Sequence, residues 1–124
     1  MKTSLNQQAI SECRKKLVSL RQDILNRVRM AQLDFGHIEK SSGDEVDQTV
    51  AQLAENHFLI AQERMRTQLL EIEQALARIE NGTYGICEET EEPIEVERLF
   101  AVPWTRLSIE GAEIQEAMLR KFAR

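Results

Sequence analysis

From Ile10 onward the apolar residues fall at Ile10, Cys13, Leu17, Leu20, Ile24, Val28, Ala31 and Phe35. Every step is three or four residues, and neither Pro nor Gly interrupts before Gly36. A strand alternates its side chains with period two and cannot gather such a set on one face, whereas an α-helix does. The spacing predicts a helix from about Asn6 to about Phe35, roughly 45 Å long at about 1.5 Å per residue. One narrow stripe on so long a helix needs a second helix to cover it. That partner is written further on, at Val50, Leu53 or Ala54, Phe58, Ala61, Met65, Leu69, Ile72, Leu76 and Ile79. Its predicted start is near Asp44, where a carboxylate can cap free N–H groups, and its predicted stop is Asn81-Gly82.

The stretch from Gly36 to Asp44 holds two glycines and two serines, residues that leave helical geometry, and is predicted to be the turn. A short link returns the chain along its own path, so the two helices are expected to form an antiparallel coiled-coil hairpin. Composition agrees. Aromatics are 5% and charged residues 30%, too few and too many for a large globular core. The net charge of −5 has the wrong sign for a protein that wraps nucleic acid through phosphates. Arg14, Lys15, Lys16, Arg27 and Arg29 are read as solvated helix faces, so sequence-specific nucleic-acid binding is not expected. No apolar run approaches the roughly 20 residues that cross a membrane.

After Gly82 the pattern changes. Pro93 and Pro103 exclude a continuous helix, and Glu88, Glu89, Glu91 and Glu92 form an acidic run. Ile94-Glu95-Val96 is predicted to pair as a short strand with Tyr84-Gly85-Ile86. A last helix is predicted from Ser108 as N-cap, burying Ile114, Met118 and Phe122. The domain reading is therefore a hairpin over 1–82, with an acidic tip near 36–47, and a small second region over 83–124. Cys13 and Cys87 form no spacing motif. With no leader-like segment at the start, both are expected reduced in the cytoplasm. No phosphate loop, HExxH or supported nucleophile pairing occurs, so the chain is not expected to be an enzyme.

Several separated motifs carry a family likeness. RIENGTYGICE occupies 78–88, EPI 92–94 and R-L-x-A-x-P 98–103, and Asp44-Glu45-Val46-Asp47 forms a D-x-x-D motif upstream. In order and spacing these resemble the DksA/TraR family of bacterial regulators, which bind RNA polymerase rather than DNA. The resemblance runs from about Leu17 to the C-terminus. It implies a mainly α fold: a long antiparallel coiled-coil hairpin, a small zinc-finger-like base and a C-terminal helix.

The resemblance also assigns sites. In the family a hairpin tip enters the polymerase secondary channel and its two acids act near the active centre, a role implied here for Asp44 and Asp47. Thr49 stands where the family commonly has alanine. The family's structural zinc would need cysteines at 87, 90, 108 and 111. Here Cys87 is followed by Thr90, Ser108 and Gly111, and one thiolate cannot supply tetrahedral coordination. Zinc is expected absent. Packing of Trp104, Phe100, Leu99, Ile94 and Ile86 is expected in its place, with Trp104 as anchor and hydrogen bonds from Thr90 and Ser108. Basic positions that bind the alarmone ppGpp in full-length members appear here as Glu71, Val102 and Ala112, while Arg64 and Arg98 remain basic. A weak or absent ppGpp response follows, because a carboxylate repels a polyphosphate. The implied function is a monomeric transcription regulator acting on RNA polymerase without zinc. The alternative is a coiled-coil interaction module that kept the scaffold and lost polymerase regulation.

Overall fold

The computed structural model describes residues 5–42 and 48–122 of the 124-residue chain. Four helices follow in order: α1 (Gln7–Ser42), α2 (Gln48–Asn81), α3 (Val96–Ala101) and α4 (Ile109–Phe122). α1 and α2 form the long antiparallel hairpin. Arg14 pairs with Glu80 at 3.5 Å, and Phe35 stacks on Phe58 with ring centroids 4.3 Å apart. The paired residue numbers sum to the same value within one, as an antiparallel register requires.

All eight positions of the first stripe are buried or half-buried. The helix does not stop at Phe35, however. It runs through Gly36 to Ser42, so the turn expected to begin at Gly36 does not begin there, and the last two residues of that expected turn lie outside the described residues. A glycine in a helix interior costs only about 1 kcal/mol relative to alanine, too little to end a helix already 30 residues long. Gly82 differs. With φ of +78° it closes α2, Gly82 N–H donating to Ile79 O at 3.3 Å and Thr83 N–H to Arg78 O at 2.9 Å. This is the paired hydrogen-bond pattern of a left-handed helix stop.

The second stripe departs from its expected set at two positions, Val50 and Ala61. Ala61 is exposed, and the half-buried position in that turn is Gln62. The inward set is Ala54, Phe58, Gln62, Met65, Leu69, Ile72, Leu76 and Ile79, while Val50 and Leu53 are exposed.

The chain divides into two compact units, Leu20–Leu70 and a second comprising Met1–Ser19 with Glu71–Arg124. The first is the paired run of α1 and α2. In the second, the base, the start of α1 and the end of α2 pack with the segment that follows Gly82. Its core is Cys13, Leu17, Ile72, Ala75, Tyr84, Cys87, Ile94 and Leu99. Tyr84, 1% exposed, is the largest side chain fully buried there. Trp104 is only half-buried and Phe100 is exposed, so the expected tryptophan anchor is replaced by a tyrosine. The reason is local: Tyr84 follows directly on the helix stop, which turns it inward beneath α1.

Two further expectations are corrected. The strand over 94–96 shrinks to a single antiparallel bridge, Ile86 to Pro93, because Glu95 already precedes α3 and Val96 lies within it. α4 begins as predicted, with Gly111 N–H donating to Ser108 Oγ at 3.0 Å. Its apolar stripe is not buried, though. Ile114 is 36% exposed, Met118 49% and Phe122 78%. The face of α4 turned to the base is the one carrying Gly111, Ala112 and Gln115, where a missing side chain permits close approach.

Candidate functional site

Cys87, Thr90, Ser108 and Gly111 are brought together in the base. Cys87 N–H donates to Glu92 O at 2.8 Å and Glu91 N–H to Cys87 O at 2.9 Å, so the chain from 87 to 92 folds back as a tight loop. Glu91 completes it with φ of 60°. Glu95 Oε1 accepts the N–H of Ile109 at 3.3 Å and fixes the start of α4 above that loop. Cys87 has no exposed surface, and Ser108 is 6% exposed. Burial pushes the Cys87 thiol up, but the hydroxyls and backbone groups of Ser108 and Thr90 outweigh it and bring its pKa down to about 7. Thr90 and Ser108, the two positions expected to supply hydrogen bonds, are thus the groups that favour the charged form of the thiol. A Cβ placed on Gly111 would run into Cys87 Sγ.

These four residues present one thiol, two hydroxyls and no side chain. Structural zinc takes sulfur, imidazole or carboxylate donors, four of them. Among the described residues no group of three or more His, Cys, Asp or Glu is placed to hold a metal ion. The donor set does not fit zinc.

Beside it lies a cleft of about 310 Å³ lined by residues that include Glu71, Arg78, Arg98, Val102, Trp104 and Arg106. Its arginines are engaged with the loop at 102–107. Arg78 donates to Trp104 O at 3.2 Å and Thr105 O at 3.3 Å, and Arg98 Nε to Leu107 O at 2.8 Å. Arg106 pairs with Glu88 at 3.2 Å. Burial lowers the Arg78 pKa, an effect that Glu88 and Tyr84 oppose. Tyr84 donates to Pro103 O at 2.8 Å, and burial first, then the Cys13 thiol, hold its hydroxyl well above its ordinary pKa. Thr105 Oγ1 donates to Leu107 O at 2.9 Å. The cleft therefore unites Arg98 with Glu71 and Val102. Arg64 lines a separate groove on α2 with Ile60, Glu63, Thr67 and Gln68. Thr49 is exposed in the first turn of α2, and Asp44 and Asp47 lie outside the described residues.

The sequence pattern did not single out Arg78 or Tyr84. A basic residue in the last turn of a helix, followed by an aromatic two residues past its glycine stop, was the available signal.

Residues 82–117 match the family described as the prokaryotic dksA/traR C4-type zinc finger. The RNA polymerase-binding transcription factor DksA of Caulobacter vibrioides is 32% identical over 115 residues, covering 90% of this chain and 79% of the relative. This chain belongs to the DksA/TraR family. An uncharacterized protein of Aquifex aeolicus is 35% identical over 115 residues, covering 88% and 77%. Among solved structures, transcription factor DksA2 from Pseudomonas aeruginosa superposes with a TM-score of 0.84 at 31% identity, covering 93% of this chain and 88% of that one. The named relatives are transcription factors rather than enzymes. In this DksA/TraR member the hairpin and C-terminal helix are kept, while three of the four positions of the C4 site, Thr90, Ser108 and Gly111, depart from the pattern. No helix among the described residues is long and apolar enough to cross a membrane.

Proposed function

We propose that this chain regulates transcription by binding RNA polymerase through its secondary channel, with Asp44 and Asp47 acting near the active centre. One observation carries the reading. The D-x-x-D motif falls between α1 and α2 in a chain that a polymerase-binding DksA matches over 90% of its length. The protein works in the cytoplasm as a monomer, contacts no specific bases, and alters initiation through shape and exposed acids. Thr49 beside the acids tunes the strength of the effect.

The protein does this without zinc. Donor chemistry at Cys87, Thr90, Ser108 and Gly111 supports that reading. It responds weakly or not at all to ppGpp. Glu71 shares the cleft with Arg98, and part of each arginine's donor set is committed to backbone carbonyls or Glu88. The same loss of basic positions, at Glu71 and Val102, favours the second reading of a coiled-coil interaction module without regulatory effect.

A pull-down with core polymerase, followed by transcription in vitro, separates the two. Asp44→Asn/Asp47→Asn should leave binding largely intact and abolish the effect on initiation. An unmodified protein that fails to bind core polymerase would refute the proposal. One that binds without altering initiation supports the interaction module.

A further inference from the structure

We propose that the sulfur of Cys87, seated against the α-carbon of Gly111, takes the structural place that zinc holds in the C4 family, and that Gly111 shuts metal out. This rests on the zinc-free reading above and names the device behind it. In a four-thiolate site, the residue at 111 reaches a shared ion from a Cβ that stands across that ion from the sulfur of residue 87. Here the position of that Cβ overlaps Cys87 Sγ itself. The first turn of α4 has therefore closed directly onto the thiol, leaving no room for an ion between them.

The neighbours complete the seal. Glu89 Cβ and Ser108 Oγ each lie 3.4 Å from the same point, close on two further sides. Ser108 Oγ accepts the Gly111 N–H at 3.0 Å, so the hydroxyl that caps α4 also stands beside the point where Gly111 meets the thiol. Cys87, Ser108 and Gly111 are all buried. Glycine is required at 111 by contact rather than by backbone, since its φ is not positive.

The sign of one substitution tests this. Alanine is the better helix former, so Gly111→Ala would raise the melting midpoint if the space were open. The expected result is a fall of about 5 °C or more. In a Cys87→Ala background the same change should cause no fall, because the sulfur it strikes is gone. Should Cys87→Ala fail to fold, Cys87→Ser keeps the hydrogen bonds with a smaller atom and should recover part of the loss. A Gly111→Ala midpoint equal to or above that of the unmodified protein overturns the lock. So does an equal fall with and without the sulfur. Zinc content of the purified protein keeps the two readings apart. Stoichiometric zinc sinks both, whereas a zinc-free protein that tolerates Gly111→Ala sinks the lock alone.

Discussion

With a pKa of about 7 in the folded base against an ordinary 9.0, the Cys87 thiol ties stability to pH in a definite direction. Between those values the unfolded chain binds a proton that the folded chain has released. Stability therefore rises as pH climbs from 7 to 9 and is lost as pH falls through 7. The expected gain is on the order of 2 kcal/mol. Denaturant melts at pH 7 and pH 9 should show it, and Cys87→Ala should remove it. A flat profile in the native protein would mean that the Ser108 and Thr90 contacts do not hold the thiolate. Positions 90, 108 and 111 were legible beforehand, because the family's cysteine frame, read at fixed spacing, names them. The anchor was not. Trp104 is the larger aromatic, but burial is decided by what surrounds a ring, and Arg78 holds Trp104 by its carbonyl while Tyr84 fills the core.

Among the helices, the stripe of α1 was readable to the last residue, since a 3-4 repeat leaves a long helix only one face to bury. The misreadings share a cause: each took a residue type for a position. Gly36 reads as a stop by residue type, yet a Cβ added there meets nothing within 4 Å. Gly36→Ala should therefore stabilise the hairpin by about 0.5–1 kcal/mol, seen as a higher melting midpoint. Ala61 reads as a seam residue because it is apolar, whereas the helical phase selects Gln62. The Gln62 Nε2 is buried without a hydrogen-bond partner, level with Ala31 in the antiparallel register. An unmet amide donor costs about 1–3 kcal/mol, so Gln62→Leu should raise stability by an amount of that order. A lowered midpoint would show that the amide is satisfied in solution. The stripe of α4 was real as periodicity and misleading as burial, because the close approach at Gly111 chose a different face of the helix.

At the scale of the whole molecule, the zinc-free reading requires a small base to stay folded without the ion for which its family's C4-type zinc finger is named. Structural zinc contributes apparent binding energies of about 10–16 kcal/mol, as much as or more than the 5–15 kcal/mol that separates typical folded and unfolded domains. A base that depended on zinc would therefore collapse in a chelator. Here the fully buried set of Tyr84, Leu17, Ile72, Leu99, Cys13 and Cys87 ties the segment after Gly82 to both long helices. Arg78, Arg98 and Tyr84 pin the loop at 102–107 through its carbonyls. Those contacts need no ion. Thermal melts followed by circular dichroism with and without EDTA should superimpose, in midpoint and in helical content. A regulator-deficient strain relying on this protein should keep its regulation in zinc-depleted medium. A midpoint that drops with EDTA and recovers on adding zinc would show that coordination, rather than packing, supports the base. Unchanged melts together with failed complementation would leave the packing argument standing and turn the doubt on polymerase regulation itself.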